Sequence, residues 1–506
     1  MVLGKILRLT ITKTAIQLAL ISILIIMTAS CGRAAEKADY NIIYISIDTL
    51  RADHLNCYGY KKHKVSPEID ALARDGILFE KHITAAPWTT PTHLSMFTSL
   101  SPSTHGMNAS FQSIIDQFQS GGQFSRLPES RVTLAEVLKE NGYATSAFTG
   151  GGPMDPRLGF GQGFDTYETS MFKLKKGNMG VMYDWLKKHV SKKIFLFWHH
   201  FEMHAPYLHA DFLSSVMPPE IAAKMKKEFR QIKMLPEEKL WPAGAVDLRQ
   251  EEVKILKKYY AFNRHVCETM YAACVSVSDR WLGQFLKTLR RKRIYDKSLI
   301  VLTSDHGEEF ADHNPAHFYN MHGHTLYDEM VHVPLIIKLP NQAHAGKRVS
   351  DVSRVVDIMP TILDILSLKP KKDEMQGKSL RSTWEDSSDS KPRSAFSEAL
   401  TTPKEKKSIR TNRYKYIITL DKNTVSEHGR SYVPEAPAKR ELYDLRKDRK
   451  EKSNLLKDRH SPNFDKIAAG FEQRIRDHLP EKSGEAEAVD LDTDVIERLK
   501  SLGYIK

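Results

Sequence analysis

Between Tyr40 and about Leu368, short apolar runs alternate with longer amphipathic stretches. Ile42 to Ile47, Ala144 to Phe148, Ile194 to Trp198, Leu299 to Thr303 and Pro334 to Ile337 are apolar runs of strand length, rich in β-branched and aromatic residues. They predict buried strands. Val132 to Glu140 and Val253 to Leu289 instead carry apolar residues at helical spacing, with Leu282, Phe285 and Leu289 on one packing face. Strand and helix in alternation predict an α/β domain built on a doubly wound sheet. Past Leu368 the composition changes at Lys369-Pro370-Lys371-Lys372-Asp373, which marks a boundary. A smaller unit follows, with a strand at Lys415 to Ile418, a helix near Phe464 to Leu479 and an amphipathic helix from Val495 to Tyr504 stopped at Gly503. The expected organisation is a leader over 1–30, a main domain over 38–368 and a C-terminal subdomain over 369–506. The polar stretch from Phe111 to Glu129 reads as a surface loop. Ser214 to Glu251 reads as a charged insertion, and no chemistry attaches to it.

Two of the strands end in charge. Leu299 to Thr303 runs into Ser304-Asp305-His306-Gly307-Glu308, and Ile42 to Ile47 delivers Asp48. In open α/β sheets ligands gather outside the carboxyl ends of the strands, so two acids and a histidine meet at one cleft if these strands are neighbours. An Asp after a strand is by itself more often a turn or cap residue. The pair carries the argument.

These residues form part of an ordered series. Asp48, then Trp88-Thr89-Thr90-Pro91-Thr92-His93, Met203-His204-Ala205-Pro206-Tyr207 and Ser304-Asp305-His306-Gly307-Glu308 resemble the sulfatase family of the alkaline phosphatase superfamily. The likeness continues through Tyr327-Asp328-Glu329, Val333-Pro334-Leu335, Val356 to Thr361 and Glu441 to Leu445. It implies an alkaline phosphatase-like doubly wound α/β sheet with a smaller C-terminal α+β subdomain, a small antiparallel sheet packed with a helix. It also implies a metal-dependent hydrolase of sulfuric or phosphoric esters acting on an anionic glycan, lipid or small molecule. The implied ligands of one divalent ion are Asp48, Asp305, His306 and the Thr89 hydroxyl. Family members often open with two consecutive acids, whereas Thr49 follows Asp48 here. An oxygen-rich set with one imidazole suits Ca²⁺, Mg²⁺ or Mn²⁺, with Zn²⁺ a further candidate.

The position of Thr89 sets the expected chemistry. Sulfatases carry Cys or Ser in a C/S-x-P-x-R motif and convert it to formylglycine, whose hydrate attacks through one hydroxyl and expels sulfate through the other. The corresponding residues are Thr89-Thr90-Pro91-Thr92-His93. Thr89 has one hydroxyl, so a covalent intermediate on it must be released by water, as phosphothreonine is in related enzymes. The expectation therefore favours phosphoesters. Thr90 is expected to cap a helix with Pro91 at its first position, which sets Thr89 at an anion-binding helix terminus. By the same resemblance His93 stands where the family has Arg, His204 lies near the leaving group as general acid or oxygen ligand, and His322 or His324 replaces a family Lys as donor to the transferred group. A Lys-x-His pair usual in the family has no counterpart around Thr149 to Pro153. Two rival readings are a transferase moving a phospho-group from envelope lipid to glycan, and a catalytically silent glycan- or lipid-binding member.

Charge and cysteine content narrow the setting. The 506-residue chain carries a formal charge of +13, but its basic residues are dispersed, with no aromatic-interleaved patch for nucleic acid. Lys5, Arg8 and Lys13 precede an apolar stretch from Ala15 to Thr28, shorter than the ~20 residues of a membrane span, so a secretion signal is expected. Thr28-Ala29-Ser30-Cys31 resembles a bacterial lipobox with Thr in place of Leu, which implies a lipid anchor at Cys31 on an exported cell-envelope protein. Gly32 after it favours the outer membrane. The alternative is cleavage near Ala34-Ala35 and a soluble periplasmic product. Cys57, Cys267 and Cys274 are expected as buried thiols, the last two being about 10 Å apart along one helix and unable to bridge.

Overall fold

The computed structural model describes residues 40–107, 124–171, 176–204, 264–310, 312–313, 322–372, 374–385, 392–399, 404–421, 437–458, 461–480 and 484–489. The leader with Cys31, the insertion from Ser214 to Glu251, most of the Phe111 to Glu129 loop, residues 253–263 and the helix expected from Val495 to Tyr504 lie outside the described residues.

Eight strands make the main sheet: β1 (Asn41–Ile47), β2 (Ile77–Ile83), β4 (Ala144–Phe148), β5 (Thr166–Glu168), β6 (Ile194–His200), β7 (Ser298–Thr303), β8 (His332–Lys338) and β9 (Arg348–Arg354). Between β2 and β4 lies β3 (Phe124–Arg126), which pairs with the late strand β14 (Glu487–Val489). The main order is β5-β4-β6-β1-β7-β8-β2-β9. The first five run parallel, β8 runs antiparallel to both of its neighbours, and β9 is parallel to β2. The sheet is thus doubly wound but mixed. The reason lies in the connection. Among the described residues between β7 and β8 there is only the four-residue helix Asp328–Val331, too short for a crossover that would restore parallel direction.

Alternation along β1 divides the core. Ile43, Ile45 and Ile47 face a layer containing the helices Pro67–Asp75, Lys176–His189 and Arg264–Arg291, while Ile42 and Tyr44 face one containing Thr89–Thr98, Leu134–Glu140 and Ile358–Ile365. Both faces being covered explains why the strands read as unbroken apolar runs. A second, antiparallel sheet of β10 (Ala395–Ala399), β11 (Lys404–Arg410), β12 (Tyr414–Asp421) and β13 (Lys439–Asp444) packs Tyr416, Ile418 and Leu442 against Phe471 and Ile475 of the helix Pro462–His478. Tyr443 and Ile417 of this sheet meet Leu326 and Met330 of the main domain. Cys267 and Cys274 are buried free thiols, whereas Cys57 is half-buried rather than buried. Among the described residues no helix is long and apolar enough to cross a membrane.

Candidate functional site

The parallel pairing of β1 with both β6 and β7 brings three strand ends to one edge. Asp48 follows β1, Asp305 and His306 follow β7, and His199 lies in the last turn of the pleat of β6. The backbone around them is locked by side-chain hydrogen bonds, most of them between segments distant in sequence. The Ser304 hydroxyl accepts from Leu50 N–H at 2.9 Å and donates to the His306 carbonyl at 2.8 Å, and Thr84 Oγ1 donates to the Asp305 carbonyl at 2.6 Å. Thr49 adopts φ 55°, an outlying conformation for a β-branched residue. It lets Thr49 N–H reach Asp305 Oδ1 at 3.2 Å while its carbonyl accepts from Tyr271 at 2.6 Å.

Asp48, Asp305 and His306 are completely buried, and one ligand atom from each lies within 4.8 Å of the others. Asp305 Oδ1 is held by the N–H of His306 at 2.9 Å. Asp305 Oδ2 and both oxygens of Asp48 have no hydrogen-bond partner. The Nδ1–H of His306 donates to the Gly307 carbonyl at 2.8 Å, which leaves Nε2 as a lone pair aimed inward, 3.5 Å from Asp305 Oδ2 and 3.9 Å from Asp48 Oδ1. Burial holds this imidazole down at about 4, so it is neutral. Burial, with the charges of Asp305 and Glu308 adding to it, pushes the Asp48 carboxyl well above the usual range. Three buried carboxylate oxygens without donors are costly, and a divalent cation is the group that satisfies all three at once. Oxygen donors with one neutral imidazole fit such an ion.

Thr89 opens the helix Thr89–Thr98 and is fully buried, its hydroxyl 3.4 Å from His306 Nε2. Trp88 occupies the cap position, and Pro91 is the third helical residue rather than the first. Thr90 is not the cap, because its hydroxyl donates to the Pro153 carbonyl at 2.7 Å. Pro is accommodated at this depth because the first turn's N–H groups have no intrahelical acceptor to lose. His93 sits one turn on, with Nδ1–H donating to the Thr89 carbonyl at 2.9 Å and Nε2 accepting from Ser46 at 2.8 Å. Both nitrogens are thereby engaged by the scaffold that carries Thr89.

The remaining histidines separate into two groups. The His322 ring lies tilted 4.5 Å from that of His306, its Nδ1 is 3.4 Å from Glu308, and its ring lies 5.2 Å from His204, which in turn stacks on Phe201 at 4.6 Å. Thr89, His306, His322 and His204 therefore form a continuous line. His324 turns away, with Nε2 2.9 Å from Glu309 and its carbonyl accepting from Lys406 on β11. His199 and Glu308, buried beside the cluster, were not singled out by the sequence pattern. The signal available for His199 was its place directly after the apolar run Ile194 to Trp198, at a strand end like those that deliver Asp48 and Asp305.

The sulfatase family profile matches residues 40–368, and the profile described as N-sulphoglucosamine sulphohydrolase, C-terminal, matches residues 317–480. The chain belongs to the sulfatase family. Among curated sulfatases it is 29% identical over 245 residues to arylsulfatase K of Bos taurus, covering 45% of this chain and 37% of that relative. It is 25% identical over 358 residues to the ulvan-active sulfatase of Formosa agariphila, covering 66% of this chain and 63% of that one. The chain thus spans well under half the length of its arylsulfatase K relatives. Sulfatase-like folds are also shared with a protein solved in complex with its substrate D-glucosamine-2-N,6-O-disulfate (17% identity, 87% and 98% of the chains, TM-score 0.61). The phosphonate monoester hydrolase of Agrobacterium radiobacter shares the fold as well (19% identity, 89% and 100%, TM-score 0.60).

Proposed function

We propose that this sulfatase-family chain is a metal-dependent ester hydrolase that uses Thr89 as nucleophile and favours phosphoesters over sulfate esters. The observation that carries the reading is the convergence of unpartnered Asp48 and Asp305 oxygens with His306 Nε2 around the buried Thr89 hydroxyl. Asp48, Asp305, His306 and Thr89 would hold the cation. Bound there, it supplies Lewis-acid polarisation of the ester and acidifies the hydroxyl.

The chain's own residues perform the rest. Thr89 Oγ1 forms a bond to phosphorus as the ester oxygen departs, and its proton passes to water, since Asp48 is committed to the cation as a carboxylate. The departing oxygen is protonated by His204 or His322, the rings in line beyond His306. Water then attacks phosphorus, the Thr89 oxygen leaves and recovers its proton, and phosphate is released. His93 fixes the Thr89 backbone and keeps the helix terminus aimed at the anion. With sulfate the second step fails, because a lone hydroxyl offers no elimination route from a sulfo-enzyme. The proteins it resembles include both sulfatases and a phosphonate monoester hydrolase, so both ester classes belong in the test. The substrate is an anionic ester of the cell envelope or medium, reached by an exported enzyme anchored through lipid at Cys31.

Turnover of nitrophenyl sulfate, phosphate and phosphodiester by the purified protein, with metals varied, tests this. Phosphoester cleavage that falls on the order of 10³-fold or more in Thr89→Ala is expected. Sulfate turnover exceeding phosphoester turnover overturns the preference. No turnover of any ester returns the transferase and silent-binder readings. Loss of fatty-acid labelling in Cys31→Ser checks the anchor.

A further inference from the structure

His199 is almost wholly buried, yet neither of its ring nitrogens has a hydrogen-bond partner. Such groups are rare in folded proteins and call for a cause. Its surroundings narrow the candidates. The ring meets His93 edge-to-face at 4.7 Å, but both nitrogens of His93 are already taken by the Thr89 carbonyl and the Ser46 hydroxyl. Phe201 covers it at 5.6 Å and offers no acceptor. Two carboxylates lie near it: Asp305, within 4.8 Å, whose Oδ1 already accepts from the His306 N–H, and Asp48, whose Oδ2 lies at bonding distance, 3.3 Å from His199 Nε2, and whose Oδ1 faces His306 Nε2 at 3.9 Å.

The two oxygens of Asp48 thus face different imidazoles. We infer that His199 is a positioning residue, with its one N–H on Nε2 aimed at Asp48 Oδ2 so that Oδ1 is presented to the cation. The pair is within bonding distance but not in bonding alignment, and a small rotation of the carboxylate toward an ion closes it. Partners of this kind fix the orientation of a ligating carboxylate and raise metal affinity without touching the metal. The inference rests on the metal site proposed above. It also bears on the missing second acid, since the Thr49 position supplies backbone hydrogen bonds where a carboxylate is common, and His199 takes over the task of holding Asp48.

The test is Mn²⁺ and Zn²⁺ affinity of the full-length protein, measured by competition with a chromophoric chelator, for the parent, His199→Phe and His199→Gln. His199→Phe keeps the bulk and lacks the donor, so affinity should fall about 10–100-fold with an unchanged circular dichroism spectrum. His199→Gln, which restores an N–H, should recover a substantial part. Equal affinity in parent and His199→Phe overturns the inference while leaving the metal site intact. So does a failure of His199→Gln to recover, which would assign His199 to packing. Pulsed EPR of the Mn²⁺ form should show the same imidazole nitrogen coupling in parent and His199→Phe, and a coupling lost in the variant would make His199 a direct ligand and overturn the positioning role. No metal retained by the parent overturns both this inference and the reading of the site.

Discussion

Alanine in place of Gly307 should destabilise the protein, although Gly→Ala at ordinary backbone angles usually stabilises by about 0.4–1 kcal/mol through the unfolded chain. Gly307 is not among the residues with positive φ, so its backbone would tolerate a side chain. Space is the obstacle. Its N–H donates to the Met330 carbonyl at 2.8 Å, and a β-carbon would stand 1.9 Å from the Glu329 carbonyl oxygen. Ordinary contact begins near 3.4 Å, so the two backbone segments must part by more than an ångström. That breaks a buried hydrogen bond, costing about 1–3 kcal/mol, and adds overpacking strain of about 1–3 kcal/mol. A total near 4 kcal/mol, at about 1 °C per kcal/mol for a chain of this size, lowers Tm by about 4 °C. Gly470 is the control, being exposed within the helix Pro462–His478 with no atom within 4 Å of an added β-carbon. There alanine should add about 1 kcal/mol. Thermal melts of both variants decide the matter. If Gly307→Ala melts within 2 °C of the parent while Gly470→Ala behaves as expected, the steric argument is wrong.

Three further outcomes are open to measurement. Asp328 accepts from Arg410 and from the fully buried Lys415, each at 2.9 Å, so Asp328→Asn leaves buried cations short of a carboxylate and should cost about 3–5 kcal/mol in denaturant unfolding; a loss under 1 kcal/mol contradicts this. His313 lies 2.6 Å from Glu329, and although burial opposes its charge, Glu329 raises its pKa. Its stabilisation is therefore full below the unfolded value near 6.5 and fades as pH rises through the higher folded value, so the stability of His313→Gln should decline less than that of the parent across that window. Metal removal by chelation should lower Tm, and restoring ion to 100 times its Kd should return about 2.7 kcal/mol; Asp48→Asn should abolish most of that response, and an undiminished response would place the ion elsewhere.

The parts of this fold that were legible in sequence are those governed by burial. β1, β4 and β7 fall where their apolar runs lie, because strands covered on both faces have nothing polar to blur their limits. The helix Leu134–Glu140 starts two residues later than its pattern, at a capping box formed by Thr133 and Glu136. Less legible were features that depend on distant partners. β8 reads as a strand but its direction depends on the connection from β7. β2 and β9 carry Glu80, Lys81, Arg348 and Asp351 at the sheet edge, and no apolar run announces them. At the site, Asp48, Asp305 and His306 could be named from strand ends, whereas the separation of His322 from His324 depends on Glu308 and Glu309 and on Lys406 of the second sheet. Two adjacent histidines on a strand point to opposite faces, and only the pairing of Ser46 with His199 fixes which one reaches Asp48.

The central position of β1 has a consequence for the order of events during biogenesis. This first strand acquires one neighbour, β6, about 150 residues later and the other, β7, about 250 residues later. The middle of the sheet therefore closes only once β7 is made, and contacts of such long range form slowly. Until β7 docks, Asp48 has no Asp305 or His306 beside it and the chain presents no preassembled cation site. Capture of the proposed cation would have to follow closure of the sheet, so the fluid in which folding finishes would set which ion this site receives.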